Sequence, residues 1–427
     1  MQIEELYKLY LRFPSVQTDT RKLKKGDLFF ALKGPNFNGN EFAQQALEAG
    51  AAYAIVDEQS AVAGDRMILT DDVLTTLQKL AGYHRQQFTI PFIGITGSNG
   101  KTTTKELVHA VLSTTFKTYT TQGNLNNHIG IPLTILGIKP DAEVAVIEMG
   151  ANHPKEIQGY CEYARPTHGI ITNCGKAHLE GFGSVEGVRK AKGELFDYLR
   201  FHHGTAFIMK DYDYLGAMSR DIPHVYTYGT HDAMTTGIVR EAHPFLEVTL
   251  TDLSTDDTIR THLAGAYNLP NILAAVAVGR YFKIEDREIK SAIEAYEPSN
   301  IRSQLIKKGA NTILLDAYNA NPSSMKAAVE NFASMSGGNK ILILGAMAEL
   351  GAESIKEHQA LIRLLEQYQW REVILVGGDF EKTVHSYQFF GSVGEAEQWL
   401  RSHPVRDSLY LIKGSRSMKM EQIMEAL

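Results

Sequence analysis

Residues 96–104, TGSNGKTTT, follow the apolar run PFIGI and open a stretch of helix-forming residues. A glycine-rich turn between a strand and a helix aims successive backbone N–H groups, and the positive helix end, at one point. Gly97 and Gly100 supply the tight turn and let the backbone approach an anion closely. Ser98, Asn99 and Thr103 add backbone donors to the same cradle. Lys101 is placed to reach the β- and γ-phosphates of a nucleotide, and the Thr102 hydroxyl to join a Mg²⁺ shell. Such a loop works only at the end of a sheet strand, so it commits its surroundings to a parallel α/β fold.

The remaining pattern agrees. At 427 residues the chain calls for two or three domains. Residues 1–85 read as a small α/β domain, with strands at 27–32 and 52–56 and a helix at 41–50. Residues 86–298 read as a central phosphate-loop domain on a doubly wound parallel sheet. Its strands fall at 91–96, 117–121, 143–149 and 169–172, with helices after Lys101, at 154–163 and at 184–199. The polar, proline-containing segment YEPSN ends that domain. Residues 299–427 then give a second, Rossmann-like sheet with strands at 312–316, 340–344, 372–376 and 408–412.

In an open α/β sheet, ligands sit beyond the carboxyl ends of the strands. Glu148 ends the apolar strand VAVIE and is a candidate Mg²⁺ ligand. His178, in TNCGKAHLEGFGS, lies past the next strand and is a candidate metal or phosphate contact. Ordinary alternatives exist for both: a strand-end glutamate can be structural, and a loop histidine can cap its neighbours. Arg302, in SNIRSQ, can reach across a domain cleft to offset phosphoryl charge. Asp316 ends a strand, where it can equally cap a turn. YNANP is a polar turn suited to a small zwitterion, although asparagines are common turn residues in any case.

The strict phosphate-loop pattern places a glycine five residues before Gly100, and here that position is Ile95. This shorter loop resembles that of the Mur ligases and of folylpolyglutamate synthetases, which make amide bonds through acyl phosphates. The TDTR and GDLFFALKG segments near the N-terminus point to the Mur ligases. The segments NLNNHIGIP and DAYNANP, with LGAMAELGAES and KGSRSMKME, are similar to the branch that adds D-alanyl-D-alanine to UDP-N-acetylmuramoyl-tripeptide.

The resemblance implies ATP and two Mg²⁺ ions as cofactors, with Lys101, His178 and Lys192 as catalytic residues. It also implies that Lys192, in AKGE, is carbamylated and helps hold a metal together with Thr102, Glu148 and His178. Asn268 and Asn271 correspond to nucleotide contacts, although the family more often has histidine where Tyr267 stands. Arg302 and Asp316 complete the nucleotide set. Substrate contacts fall on Thr20, Arg21, Asn124, Asn126, Asn127, Tyr318, Asn319 and Asn321. The run NFNGNEF replaces the usual Asp-Gly-His segment, so no contact is carried to Asn38 or Asn40.

Composition limits the alternatives. A net charge of −6 argues against a general nucleic-acid binder, which would show a basic face, and leaves room for local basic clusters that hold phosphates. No apolar run approaches the roughly 20 residues of a membrane span. The amphipathic start, MQIEELYKLYLRF, lacks an apolar signal core, so a cytoplasmic protein is expected. Two cysteines 13 residues apart fit buried thiols in a reducing compartment. The resemblance further implies a monomer. A nucleotide-gated scaffold without ligase activity is the competing class, but it would have no use for Glu148, His178 and Lys192 beside YNANP.

Overall fold

The computed structural model describes residues 2–252, 257–299 and 301–427. Its first sheet has four parallel strands in the order Val16–Gln17, Leu28–Phe30, Tyr53–Val56 and Met67–Leu69. Alternation along a strand sends neighbouring residues to opposite faces. Leu28 and Phe30 therefore pack with Leu6, Tyr10 and Leu77, from the helices Ile3–Arg12 and Val73–Arg85. Phe29 turns the other way, to Ala43 and Leu47 of the helix Ala43–Glu48. That helix is shorter than the 41–50 read from the sequence, because a 3₁₀ turn, Gly39–Phe42, precedes it.

The central sheet has nine strands, and the phosphate loop follows one deep within it. Phe92–Thr96 is buried at every position and lies between His168–Ile171 and Val144–Glu148, parallel to both. Thr118–Thr120 forms one edge. Beyond His168–Ile171 come Thr205–Met209, His224–Gly229 and Thr235–Glu241, which the sequence reading did not resolve. Two further strands, Glu247–Leu250 and Asp257–Arg260, run antiparallel and modify the expected all-parallel sheet. Short connections join them, and a parallel pairing would need a crossover of a dozen residues or more.

The third sheet runs Gln304–Lys308, Asn311–Asp316, Leu409–Lys413, Lys340–Gly345, Glu372–Val376 and Gln388–Phe390. Only the first of these strands is antiparallel to its neighbour. The helices Pro322–Ser334 and Ser354–Leu365 share one buried cluster, and Val393–Ser402 joins a separate one.

Arg85 fastens the first unit to the central one. Its guanidinium lies 3.7 Å from the centroid of the Phe92 ring and is almost fully buried. Each of its three nitrogens donates to a carbonyl group: Nε to Ala164 at 3.0 Å, and the terminal nitrogens to Phe88 at 2.8 Å and Arg165 at 2.9 Å. Replacing it with alanine orphans three carbonyls, each costing about 1 kcal/mol or more. Arg85→Ala is therefore expected to lose about 3 kcal/mol of stability, measured as a lower urea midpoint at unchanged slope. A loss under about 1 kcal/mol would show that Arg85 is not the fastening.

Candidate active site

Two crowded glycines fix the phosphate loop. Gly97 has φ 147° and Gly100 φ 79°, both in the region that favours glycine. A Cβ on Gly97 would stand 1.9 Å from Thr172 Oγ1, and one on Gly100 2.4 Å from Asn271 Oδ1. Residues 172–175, past the neighbouring strand, brace the loop. Thr172 Oγ1 donates to the Asn99 carbonyl at 2.6 Å, and Asn173 Oδ1 accepts from Asn99 N–H at 3.0 Å. Ser98 Oγ donates to the Gly175 carbonyl and accepts its N–H, both at 3.0 Å. The sequence reading took only His178 from this segment. Its signal, a polar TNCG run at a strand end, was present but unused. Ile95, where a longer loop would have glycine, is fully buried in the strand and pairs with Glu148.

Lys101 opens the helix Lys101–Leu112 and folds back onto its own loop. Its Nζ donates to the Gly97 carbonyl at 2.7 Å and to that of Ser98 at 3.3 Å. Burial pushes its amine down to about 8, partly opposed by the nearby Glu148. Among the described residues no carboxylate pairs with this amine directly, which leaves the loop a cationic group for an anion.

A cleft of about 840 Å³ opens above the loop. Residues 98–103 line it, with Asn126, Asn127, Glu148 and His178 from the central unit. Asn268 and Asn271 line it at the start of the helix Leu269–Tyr281. Facing them from the third unit are Arg302, Asp316, Tyr318, Asn319 and Asn321. The remaining candidates lie elsewhere. Gly97 forms the turn itself, and Lys192 is buried behind Ala151, accepted by its carbonyl at 3.1 Å. Asn124 is exposed outside the cleft. Thr20 and Arg21 sit in the 3₁₀ turn Thr20–Lys22 of the first unit, where Arg21 is 86% exposed and pairs with Asp19 at 2.8 Å.

Glu148 is the best-defined polar group in the cleft. It is 1% exposed. Its Oε1 accepts from Asn126 Nδ2 at 2.7 Å and from Thr102 Oγ1 at 3.2 Å, while its buried Oε2 has no partner. An orphaned carboxylate oxygen beside the loop threonine fits a Mg²⁺ site, since that ion is held by one or two carboxylates plus phosphate and water. Among the described residues, no three His, Cys, Asp or Glu side chains converge into a protein-only metal cage. His178 is left-handed at φ 52°, and its Nδ1 lies 2.6 Å from Glu349 Oε2 of the third unit. That is an ion-pair distance, and the imidazole holds the Glu349 carboxyl below its usual range. Burial and the nearby Lys101 push the Lys192 amine down to about 7.

On the opposite wall, Asp316 and Lys413 are register partners at the ends of adjacent strands. Lys413 Nζ is 2.5 Å from Asp316 Oδ2 and donates to the Asn319 carbonyl at 3.1 Å, so it holds both the carboxylate and the turn after it. The sequence reading missed this lysine, because only the fold shows which strand lies beside Asp316. Asn321 caps the helix Pro322–Ser334, and its Nδ2 reaches Asn99 Oδ1 across the cleft at 2.8 Å. Asn271 accepts from Thr104 Oγ1 at 3.0 Å and donates to Asn268 at 2.9 Å. Tyr267, in place of the usual histidine, shares a 2.8 Å hydrogen bond with Ser303. Lys176 and Glu357 form a further bridge between the two units at 2.6 Å.

Comparison with known proteins places this geometry. The Mur ligase family catalytic domain matches residues 12–87, the Mur ligase middle domain 95–279, and the Mur ligase glutamate ligase domain 301–416. UDP-N-acetylmuramoyl-tripeptide--D-alanyl-D-alanine ligase of Escherichia coli (strain K12) is 36% identical over 99% of this chain and 95% of its own. A crystal structure of MurF from Acinetobacter baumannii superposes with TM-score 0.88 at 29% identity, covering 96% of this chain and 92% of that one. MurF ligase from Thermotoga maritima in complex with ADP gives TM-score 0.85 at 26% identity, covering 97% of each chain.

The amine of Lys101 must carry its proton to hold phosphate, yet in the free protein it titrates near 8. Nucleotide affinity should therefore be flat below about pH 8 and fall up to about tenfold per pH unit above it. Calorimetric titration of ADP across pH 7 to about 10 tests this, and Lys101→Arg should remove the slope because guanidinium does not titrate there. A slope retained in Lys101→Arg would assign the proton to another group.

Proposed function

Since the chain belongs to the Mur ligase family, we propose that it uses ATP to join D-alanyl-D-alanine to UDP-N-acetylmuramoyl-tripeptide, a step in making peptidoglycan precursor. One observation carries the site assignment: the braced phosphate loop, the orphaned Glu148 oxygen and the 318–321 turn share one cleft. We take residues 1–85, 86–298 and 299–427 as three domains that bring the UDP-substrate, ATP and dipeptide together.

The chemistry follows from that arrangement. The loop N–H groups and Lys101 hold the β- and γ-phosphates, while Asn268, Asn271 and Asp316 hold the nucleoside. The tripeptide's terminal carboxylate attacks the γ-phosphorus, and ADP leaves. The loop and Arg302 offset the charge that develops on the transferring group. The amine of D-alanyl-D-alanine then attacks the acyl phosphate carbon, and phosphate departs as the amide forms. Two carboxylates and a triphosphate cannot approach one another in a dry cleft without cations. Thr102, Glu148 and His178 would hold Mg²⁺, which supplies that neutralisation. Lys192 is proposed to add a carbamate to the metal shell. Its depressed basicity leaves a neutral amine available to CO₂ near pH 7.

Asn126 and Asn127 face the tripeptide arm, with Asn124 outside them. Asn127 also accepts the N–H of Gly130 at 2.9 Å, so it serves the helix start as well. Thr20 and Arg21 are assigned to the distant UDP end. We propose that the chain acts as a monomer. No described helix is long and apolar enough to cross a membrane. A cytoplasmic site is proposed from the ATP and UDP-linked substrates.

The test is phosphate release from ATP with UDP-N-acetylmuramoyl-tripeptide, with and without D-alanyl-D-alanine. Release should require both substrates. Lys101→Ala should lower it at least about 100-fold, by analogy with removing one transition-state charge donor. Lys192→Ala should fall comparably. Release that follows a folate substrate, or needs neither partner, would overturn the proposal, and full activity in Lys192→Ala would remove the carbamate.

A further inference from the structure

In the KGSRS segment, only Lys413 has been given a task. Arg416 opens the 3₁₀ turn Arg416–Met418 just after the strand Leu409–Lys413. Its guanidinium carbon lies 5.4 Å from the centroid of the Tyr318 ring, and Arg302 lies 3.8 Å from the same centroid. Tyr318 lines the cleft. Two arginines thus converge on one aromatic side chain at the wall of the site, where their charges repel. Among the described residues, the carboxylate nearest to Arg416 is Glu421 at 3.9 Å, at the outer limit of an ion pair. The Arg416 side chain is 62% exposed, so its planar set of donors stays open to a ligand.

We propose that Arg416 is the clamp for the C-terminal carboxylate of the incoming dipeptide, an inference that rests on the function proposed above. The 318–321 turn gives the direction. One end, Tyr318, lies under Arg416, and the other, Asn321, bonds Asn99 of the phosphate loop. Three residue steps span at most about 11 Å, and an extended dipeptide spans about 7 Å. A dipeptide lying along the turn therefore keeps its amine at the phosphate loop, where the acyl phosphate forms. Its carboxylate then meets Arg416 beyond Tyr318. The reverse orientation would bring a carboxylate against the phosphates and leave the arginine unmatched. Arg416 so selects both the orientation of the zwitterion and its free acid end. Arg302 stays with the nucleotide.

The test compares D-alanyl-D-alanine with its C-terminal amide, which keeps the amine and loses the negative charge. In the wild-type enzyme, kcat/KM should favour the acid by roughly 10- to 100-fold, the range for hydrogen bonds to charged groups. Arg416→Ala should raise KM for the dipeptide by a similar factor and leave KM for ATP and the UDP-substrate within about twofold. It should also abolish the preference for acid over amide, and Arg416→Lys should restore part of that preference. A merely structural loss lowers both reactions and keeps their ratio. A wild-type ratio in Arg416→Ala overturns the assignment, and so does a ratio lost only in Arg302→Ala. If wild-type enzyme releases no phosphate in response to the dipeptide, the functional reading itself fails and the clamp falls with it. That wild-type control distinguishes the two failures.

Discussion

Backbone N–H groups of the phosphate loop can converge only because residues 97 and 100 lack a Cβ, with Thr172 pressing from one side and Asn271 from the other. Each of those neighbours belongs to a different segment, one past the strand His168–Ile171 and one in the helix Leu269–Tyr281. The loop's shape is thus set by the packing of the central sheet and its helices, not by nine local residues. Register does the rest: Ile95 pairs with Glu148, which puts the carboxylate one strand away from the loop. The anion cradle and the candidate metal ligand are fixed by the same ladder of hydrogen bonds.

Electrostatically, the site is arranged around ligands. Burial depresses the basicity of Lys101 and Lys192, which reflects the cost of holding two amines in a low-dielectric region. Glu148 Oε2 is buried and unpaired. Nucleotide, metal and substrate would satisfy these groups together, and the same low dielectric that makes them costly when empty strengthens their contacts when filled. The third sheet closes the arrangement from outside. Three of its contacts to the central unit, Asn321 with Asn99, Glu357 with Lys176 and Glu349 with His178, fall on the phosphate loop or on the residues just after Gly175. Movement of the third unit would therefore act directly on the residues that hold phosphate.

The legible parts of the sequence were those whose chemistry is local. A glycine-rich run after an apolar strand declares itself, and a carboxylate ending a buried strand has one place to be in an open sheet. The cleft accordingly gathers the loop, Glu148, His178, Asn268, Asn271, Arg302, Asp316 and the 318–321 turn. Long-range register was not legible. Lys413 matters because its strand lies beside Asp316, nearly 100 residues earlier, and no spacing announces that. The bracing role of Thr172 and Asn173, and Glu349's approach to His178, depend on tertiary packing in the same way. The antiparallel edge at 247–260 was hidden because short, half-polar strands carry weak periodicity. Asn127 and Asn321 show the opposite ambiguity: Asn321 caps a helix and Asn127 accepts the N–H of a helix's first residue, while both also line the cleft, so residue type alone does not separate the two roles.

In the proposed mechanism the cleft activates a carboxylate by transferring the γ-phosphoryl group to it. Labelling the terminal carboxylate of the tripeptide with heavy oxygen tests this most directly, with the released phosphate read by mass spectrometry. The acyl-phosphate route predicts one heavy oxygen in each phosphate formed per amide bond. Unlabelled phosphate, with one heavy oxygen kept in the amide and the other released to water, would contradict it.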